Sequence, residues 1–299
     1  MLTFVKTKAA TRRSENDRIL VPIQPSGTRN PLFLIPGVFV LADSQLADAQ
    51  FFQYVKFVRS LGESQPVYGL RTIGLGNTLR SFRSVEELAL EYAGAVQRLQ
   101  PKGPYLLTGD CVGGIFAYEI ARQLSLRQSK VALVLLNTFF PHRVYRKFLA
   151  EHVKREARRQ DITSGGGDQL WKKWLTKKRQ VITSPKFVID KIRSYVRYRT
   201  SSEYQALKHF MSEKAHLSQL IMNYDPPHFG GRLSLLVEEA VCKAGWGGYG
   251  WDKLADNGAE IHPIPGDHTA CLGESVGIVG KIIRAIAESN EAERRHDPA

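Results

Sequence analysis

The chain has 299 residues, 43% of them hydrophobic, and a net charge of +13, so it is long enough to bury a substantial core. It contains no apolar run of membrane-spanning length, and its basic N-terminus lacks a sustained apolar stretch, which argues against a transmembrane helix and a secretory signal. Three cysteines without a CxxC pair argue against a disulfide framework and a metal site. We expect a cytoplasmic protein with no metal and no permanently bound cofactor.

Taken in chain order, residues 1–18 are polar and are expected to form a leader or linker. Six short apolar runs predict strands: PLFLIPG (31–37), PVYGLRT (66–72), YLLTG (105–109), VALVLLNT (131–138), GRLSLLVEEA (231–240) and AEIHPIPG (259–266). A helix is predicted over 84–100, with Ser84 as its cap and Glu87 three residues later. Further helices are predicted over 114–124 and 275–289.

This alternation of apolar strands and helices predicts an α/β fold with a mostly parallel central sheet flanked by helices. Residues 142–225 break the rhythm, because they carry helical patterns and no strand signal. We therefore expect one domain over 19–288, interrupted by a helical insertion at about 142–225, and a polar C-terminal tail over 289–299.

The positive charge is concentrated in that insertion. Residues 143–214 hold 19 Lys and Arg against 7 Asp and Glu, a net charge of +12, and the rest of the chain carries +1. A localised positive field attracts an anionic partner. Trp171 and Trp174 beside lysines also suggest a membrane surface, and RSYVRYR suggests nucleic acid, but neither has a supporting motif.

The stretch YLLTGDCVGG places Cys111 between a predicted strand and a predicted helix, in a glycine-x-nucleophile-x-glycine pattern. A sharp turn there exposes the side chain, and Gly109 and Gly113 relieve the crowding of the backbone. The N-terminus of the following helix is expected to lower the pKa of the thiol and favour a thiolate. The alternative is a structural cysteine buried at a tight turn.

Two further elements follow in the order that a nucleophilic site requires. His268 comes after the last predicted strand, where it could act as general base. Asn137 ends the strand that follows the nucleophile helix, and an amide there could orient the imidazole, as in Cys-His-Asn sites. The alternative third member is an acid at the end of the next strand, Glu238 or Glu239.

An oxyanion hole is expected from two backbone N–H groups, because a developing negative charge needs donors fixed in advance. Position alone indicates the N–H of Val112, which follows the nucleophile. The second donor is expected from the loop after FLIPG, at Val38.

Together these motifs resemble the type I thioesterase domains that end nonribosomal peptide and polyketide synthases. The resemblance runs from about residue 20 to 288 and is carried by LVPIQPSGTRNPLFLIPG, QPVYGLRTIG, GPYLLTGDCVGG, ALVLLNT and IPGDH. It implies an α/β-hydrolase fold with a helical lid, the insertion at about 142–225. It also implies that an acyl or peptidyl chain arrives on the phosphopantetheine arm of a carrier protein.

Three residues depart from the family pattern. Cys111 stands where the family usually has serine, Asn137 where it usually has aspartate, and Asp110 where an aromatic or small residue is common. A thiolate that attacks a thioester forms another thioester, which reacts with amines far faster than an ester does. The sequence thus favours acyl transfer or cyclising release through a Cys-acyl intermediate, in polyketide or nonribosomal peptide biosynthesis such as that of antibiotic macrocycles.

Two other functions stay open at this stage. One is a hydrolytic thioesterase that releases or edits carrier-bound chains, and the other is a non-catalytic hydrolase-fold protein that binds acyl chains or carriers. Carrier proteins are typically acidic, so the basic insertion is expected to be the surface on which one docks. After a carrier protein, an anionic substrate or cofactor group ranks second as the partner of this insertion, a membrane third and nucleic acid last. A small-molecule acyl acceptor is a further expected partner.

Overall fold

The computed structural model describes residues 19–37, 50–71, 82–127, 129–138, 216–245 and 247–295. Residues 1–141 and 217–299 belong to one unit of the chain, and residues 142–216 to a second. Nearly all described residues lie in the first unit. The predicted leader 1–18 and most of the predicted insertion, with its basic charge, lie outside the described residues.

A single sheet organises the described residues. Its strands are β1 (Leu20–Gln24), β2 (Leu32–Ile35), β3 (Val67–Leu70), β4 (Tyr105–Asp110), β5 (Val131–Leu136), β6 (Arg232–Glu238) and β7 (Ala259–Ile264). They lie side by side in the order β1-β3-β2-β4-β5-β6-β7. Every pair is parallel except β1 with β3. The predicted α/β fold with a mostly parallel sheet is confirmed.

Helices connect these strands. They are α1 (Val55–Ser60), α2 (Val85–Leu99), α3 (Gly113–Ser125), α4 (Glu239–Lys243) and α5 (Val276–Arg295), with short 3-10 turns at Gln50–Tyr54 and Trp251–Lys253. The predicted cap of α2 is present, because the Ser84 side chain accepts a hydrogen bond of 3.2 Å from the backbone N–H of Glu87.

Buried side chains cover both faces of the sheet in two clusters. One cluster joins α2 and α3 to the sheet, and the other joins α1 and α5 to its opposite face. The central strands β2 and β5 are therefore buried along their whole length, with no polar alternation. Such a sheet leaves its carboxyl edge, where the strands end in loops, as the place for a site.

The first unit includes residues that lie beyond two boundaries expected from the sequence. These are the end of the insertion at about 225 and the end of the domain at 288. Leu217, Leu220 and Tyr224, expected within the insertion, are buried in the core that contains α3. Helix α5 continues to Arg295, past the expected boundary at 288. Asn290 is buried there and donates a hydrogen bond of 3.0 Å to the carbonyl of Tyr105. Among the described residues, no helix has both the length and the apolar character needed to cross a membrane.

Candidate active site

Cys111 occupies the turn between β4 and α3, as the sequence predicts. Its φ is +50°, a left-handed conformation that a side chain with a Cβ rarely adopts, so the turn is strained. Its backbone N–H is held by the carbonyl of Leu136 at 2.8 Å. Two flanking glycines are required by space, because a Cβ on Gly109 would strike Gly114 and one on Gly113 would lie 2.5 Å from the carbonyl oxygen of Ile35.

The expected lowering of the thiol's pKa is wrong. Burial raises the pKa of the Cys111 thiol, the neighbouring Asp110 carboxylate raises it further, and a hydrogen bond from the backbone N–H of Val112 offsets these only in part. Desolvation of the half-buried sulfur outweighs the positive end of the helix. Both main causes therefore favour the protonated thiol of Cys111 over the thiolate.

Asn137 lies at the carboxyl end of β5 and is completely buried. Its amide nitrogen donates 2.9 Å to the backbone carbonyl of His268 and contacts the sulfur of Cys271 at 3.4 Å. Its amide oxygen accepts the backbone N–H of Glu238 at 3.2 Å. The expectation that Asn137 orients the imidazole directly differs from this geometry, because the amide holds the main chain of His268 and not its ring.

The ring of His268 faces an acid instead. Nδ1 lies 3.4 Å from a carboxylate oxygen of Glu238, the last residue of β6. Glu239, the alternative third member, begins α4 and pairs with Lys243 at 2.8 Å on a more exposed surface. Of the two acids at the end of β6, Glu238 is thus the one placed to act on His268.

The loop that carries His268 is fixed by local hydrogen bonds. Gly266 has a φ of +99°, which favours glycine, and turns the chain after β7. The carboxylate of Asp267 accepts bonds from the N–H and the hydroxyl of Thr269, at 2.8 and 2.7 Å. The hydroxyl of Ser275 donates 2.7 Å to the carbonyl of Pro265. The position of His268 therefore does not depend on Asn137 alone.

Of the two residues expected to donate to the oxyanion, the structure describes only Val112. Val112 is the N-cap of α3, and its N–H points at the sulfur of Cys111 closely enough to affect the pKa of the thiol. Val38 lies outside the described residues. Gly37, just before it, uses its own N–H in a 2.9 Å bond to the hydroxyl of Tyr54.

Asp110 interacts electrostatically with both Cys111 and His268, so this carboxylate belongs to the site. Burial raises its pKa, and a 2.8 Å hydrogen bond from the Tyr54 hydroxyl together with the electrostatic interaction with His268 opposes that shift. The sequence marked Asp110 as a departure but gave no role to Tyr54. Tyr54 is 56 residues from Asp110 in the chain, so no local motif could connect them.

Residues 47–287 match the model of the thioesterase domain family. The chain belongs to the thioesterase domain family. This membership confirms the resemblance seen in the sequence and the prediction that the chain is a thioesterase-family enzyme. The α/β-hydrolase fold implied by that resemblance agrees with the mostly parallel sheet.

Several relatives of this thioesterase domain are fungal synthetases. Malpibaldin synthetase of Mortierella alpina is 30% identical over 151 residues, which is 50% of this chain and 3% of the relative. Atromentin synthetase of Tapinella panuoides is 32% identical over 124 residues, 41% and 12% of the two chains. Aspulvinone E synthetase melA of Aspergillus terreus is 26% identical over 294 residues, 90% of this chain and 29% of the relative. The chain thus spans a minor part of each of them.

Solved structures support the same fold. A four-domain nonribosomal peptide synthetase bound to AMP and glycine matches with a TM-score of 0.59 and 21% identity, over 90% of this chain and 20% of that one. The NocB thioesterase domain, in covalent complex with a fluorophosphonate nocardicin G analogue, matches with a TM-score of 0.53 and 22% identity. That match covers 89% of this chain and 98% of NocB.

Proposed function

We propose that this thioesterase domain is an acyltransferase that takes an acyl or peptidyl chain from a carrier-protein thioester onto Cys111 and passes it to a second nucleophile. The observation that carries the proposal is the strained position of Cys111 between β4 and α3, at +50° in φ. Strain of this kind is retained where the surrounding structure supports it and function requires it. The relatives are synthetases, which is consistent with a substrate delivered by a carrier.

In the first half-reaction the sulfur of Cys111 attacks the thioester carbonyl while Nε2 of His268 takes the thiol proton. The bond from the carbonyl carbon to the phosphopantetheine sulfur then breaks, and that sulfur receives the proton from His268. A base is needed at this step because the pKa of the Cys111 thiol is raised in the resting site. No charge is left behind, and one thioester replaces another.

Glu238 acts as the third member in this proposal. Its carboxylate faces Nδ1 of His268 and stabilises the imidazolium that forms when Nε2 is protonated. Asn137 positions the loop by holding the main chain of His268. The backbone N–H groups of Val112 and Val38 are proposed as the donors to the oxyanion.

In the second half-reaction the acceptor attacks the carbonyl carbon of the Cys111 thioester while His268 takes a proton from the acceptor. The bond from that carbon to the Cys111 sulfur then breaks, and His268 passes the proton to the sulfur, which leaves as a thiol. An amine or an internal nucleophile of the acyl chain is the proposed acceptor, because a thioester is far more reactive toward amines than an ester is. Water is the competing acceptor, and release of free acid would make the domain a hydrolytic thioesterase.

The carrier is proposed to be acidic and to dock near residues 143–214. This segment contains 19 Lys and Arg but only 7 Asp and Glu. Opposite charges raise the rate of encounter between such partners and make it sensitive to salt. This part of the proposal rests on the sequence, since those residues lie outside the described part of the chain.

Product analysis tests the proposed acceptor. A panel of aliphatic and aromatic acyl N-acetylcysteamine thioesters, which mimic the end of the phosphopantetheine arm, is incubated with and without primary amines. We expect amide to exceed free acid in the wild type, and Cys111→Ser to lose at least about tenfold in amide formation. Cys242→Ser, a change in α4, is the matched control and keeps the wild-type ratio. Free acid as the sole product with every amine would contradict the proposal.

A further inference from the structure

A buried tyrosine hydroxyl joins two segments beside the nucleophile. Tyr54 ends a short 3-10 turn, and its ring is completely buried against the sheet. Its hydroxyl donates a hydrogen bond of 2.8 Å to Oδ2 of Asp110 and accepts one of 2.9 Å from the backbone N–H of Gly37. A buried hydroxyl with one donor and one acceptor partner is fixed in direction. The chain of bonds therefore links the loop after β2 to the end of β4.

Gly37 is in direct contact with the nucleophile turn. A Cβ built on Gly37 would lie 2.9 Å from the Cβ of Cys111 and 2.8 Å from the carbonyl oxygen of Asp110. The loop is therefore pressed against Cys111, and its N–H at that point is committed to Tyr54. A shift of Gly37 would therefore change the position of Cys111 and of the next residue, Val38, from which the second oxyanion donor is expected.

The carboxylate of Asp110 is costly where it lies. It is half-buried, burial raises its pKa, and its described hydrogen-bond partner is a neutral hydroxyl. Asparagine would offer the same acceptor to Tyr54 without a charge. Among the described residues, the titratable groups that interact electrostatically with Asp110 include Tyr54, Cys111, His268 and Cys271. A carboxylate kept beside Cys111 and His268, where a neutral acceptor could bind Tyr54 equally well, indicates a functional use.

We propose that Tyr54 and Asp110 are positioning residues of the acyl-transfer site, which hold the loop after β2 against Cys111 and keep a carboxylate beside the nucleophile. This inference rests on the proposed function and adds two residues to it. One consequence is electrostatic: the carboxylate raises the pKa of the Cys111 thiol, so the resting sulfur stays protonated until His268 accepts its proton. The site then reacts with a bound thioester and resists free electrophiles.

The tyrosine arm is tested with Tyr54→Phe, which removes both hydrogen bonds and keeps the buried ring. We expect kcat for acylation by the N-acetylcysteamine thioesters to fall about ten- to a hundredfold, with KM changed by less than about twofold. Tyr92→Phe is the matched control, because Tyr92 is equally buried and its hydroxyl bonds the carbonyl of Arg71 at 3.1 Å, within a different part of the core. Both substitutions should lower Tm by similar amounts, but Tyr92→Phe should keep the wild-type kcat.

The acidic arm is tested with two substitutions at one position. Asp110→Asn keeps an acceptor for Tyr54 and removes the charge, whereas Asp110→Ala removes both. We expect kcat of Asp110→Asn to exceed that of Asp110→Ala by about tenfold. In Asp110→Asn the pH profile of Cys111 alkylation by iodoacetamide should also move to lower pH, because the thiol ionises more readily without the neighbouring carboxylate.

The outcomes separate this inference from the function beneath it. If the wild type forms the acyl-enzyme and Tyr54→Phe matches Tyr92→Phe in kcat, the positioning role is overturned. Alkylation profiles of Asp110→Asn and wild type that superimpose would overturn the electrostatic role, and this readout needs no acyl substrate. Absence of acylation in the wild type would instead refute the proposed function, while the alkylation profiles would still decide the role of Asp110.

Discussion

Two adjacent glutamates at the end of β6 show how environment assigns a role to a residue. Glu238 faces Nδ1 of His268 at 3.4 Å and is largely shielded, with 19% of its side chain exposed. Glu239 has 47% exposed and is paired with Lys243 one turn along α4. An exposed pair of this kind adds little to stability and nothing to the imidazole.

Substitution of these two acids separates their roles. Glu238→Gln should lower kcat for acylation at least about tenfold, because the imidazolium formed in the transition state loses its anionic partner. Glu239→Gln should change kcat by less than about twofold, since it loses only a solvated ion pair. Steady-state kinetics on the same thioester checks both, and a larger loss in Glu239→Gln would reverse the assignment.

The hydrogen bonds of Asn137 show why the sequence suggested it as a member of a catalytic triad. An amide can hold two partners at once, and Asn137 uses both ends, on His268 and on the N–H of Glu238. Its φ of +43° is also one that asparagine tolerates better than most residues. The sequence could therefore identify position 137 as part of the site, but the choice between ring and main chain of His268 depends on three-dimensional placement.

At the level of elements, the approach of α3 to β4 and β5 determines the nucleophile turn. Gly114 lies in the first turn of α3, and a Cβ there would strike the side chain of Thr138 at the end of β5. The backbone of the helix is thus brought close to the sheet, with its N-terminus beside Cys111. Overpacking at such a contact cannot be relieved by moving one flexible side chain.

Paired glycine substitutions test this contact. Gly114→Ala should lower the free energy of unfolding by about 3 kcal/mol and disturb acylation, because α3 must move away from Thr138. Gly94→Ala in α2 should instead raise it by about 0.5–1 kcal/mol, since its nearest neighbour is the flexible end of Arg98 and alanine favours a helix. Urea unfolding of both variants measures the difference. An unchanged free energy of unfolding in Gly114→Ala would contradict a close contact between α3 and Thr138.

The same level shows what the sequence could predict. Apolar runs located β2 to β7 and helical spacing located α2, α3 and α5, because buried parallel strands and amphipathic helices leave strong periodic signals. Strand β1 was not predicted, and its register against β3 is irregular between Pro22 and Gln24. The end of α5 was also missed, because a polar segment gives no sign that Asn290 will bind the backbone of Tyr105.

In the whole molecule, the strand order brings the residues of the candidate site, which are far apart in the sequence, to one edge of the sheet. Strands β4, β5, β6 and β7 are neighbours and parallel, so the residues that follow them meet at the same end of the sheet. This topology explains why Cys111, Asn137, His268 and one of the two acids Glu238 and Glu239 could be grouped from their order in the chain. The link through Tyr54 and the raised pKa of the thiol depend on burial, which the order of motifs does not reveal.

Mass spectrometry of Cys111 tests directly whether the proposed covalent acyl-enzyme forms at that residue. The wild-type domain is mixed with an acyl-loaded carrier protein or with the N-acetylcysteamine thioesters, quenched in acid and digested. We expect one acyl increment on the peptide that contains Cys111, removed by hydroxylamine and absent from Cys111→Ala. An unmodified Cys111 under turnover, or an increment confined to Cys242 or Cys271, would contradict it.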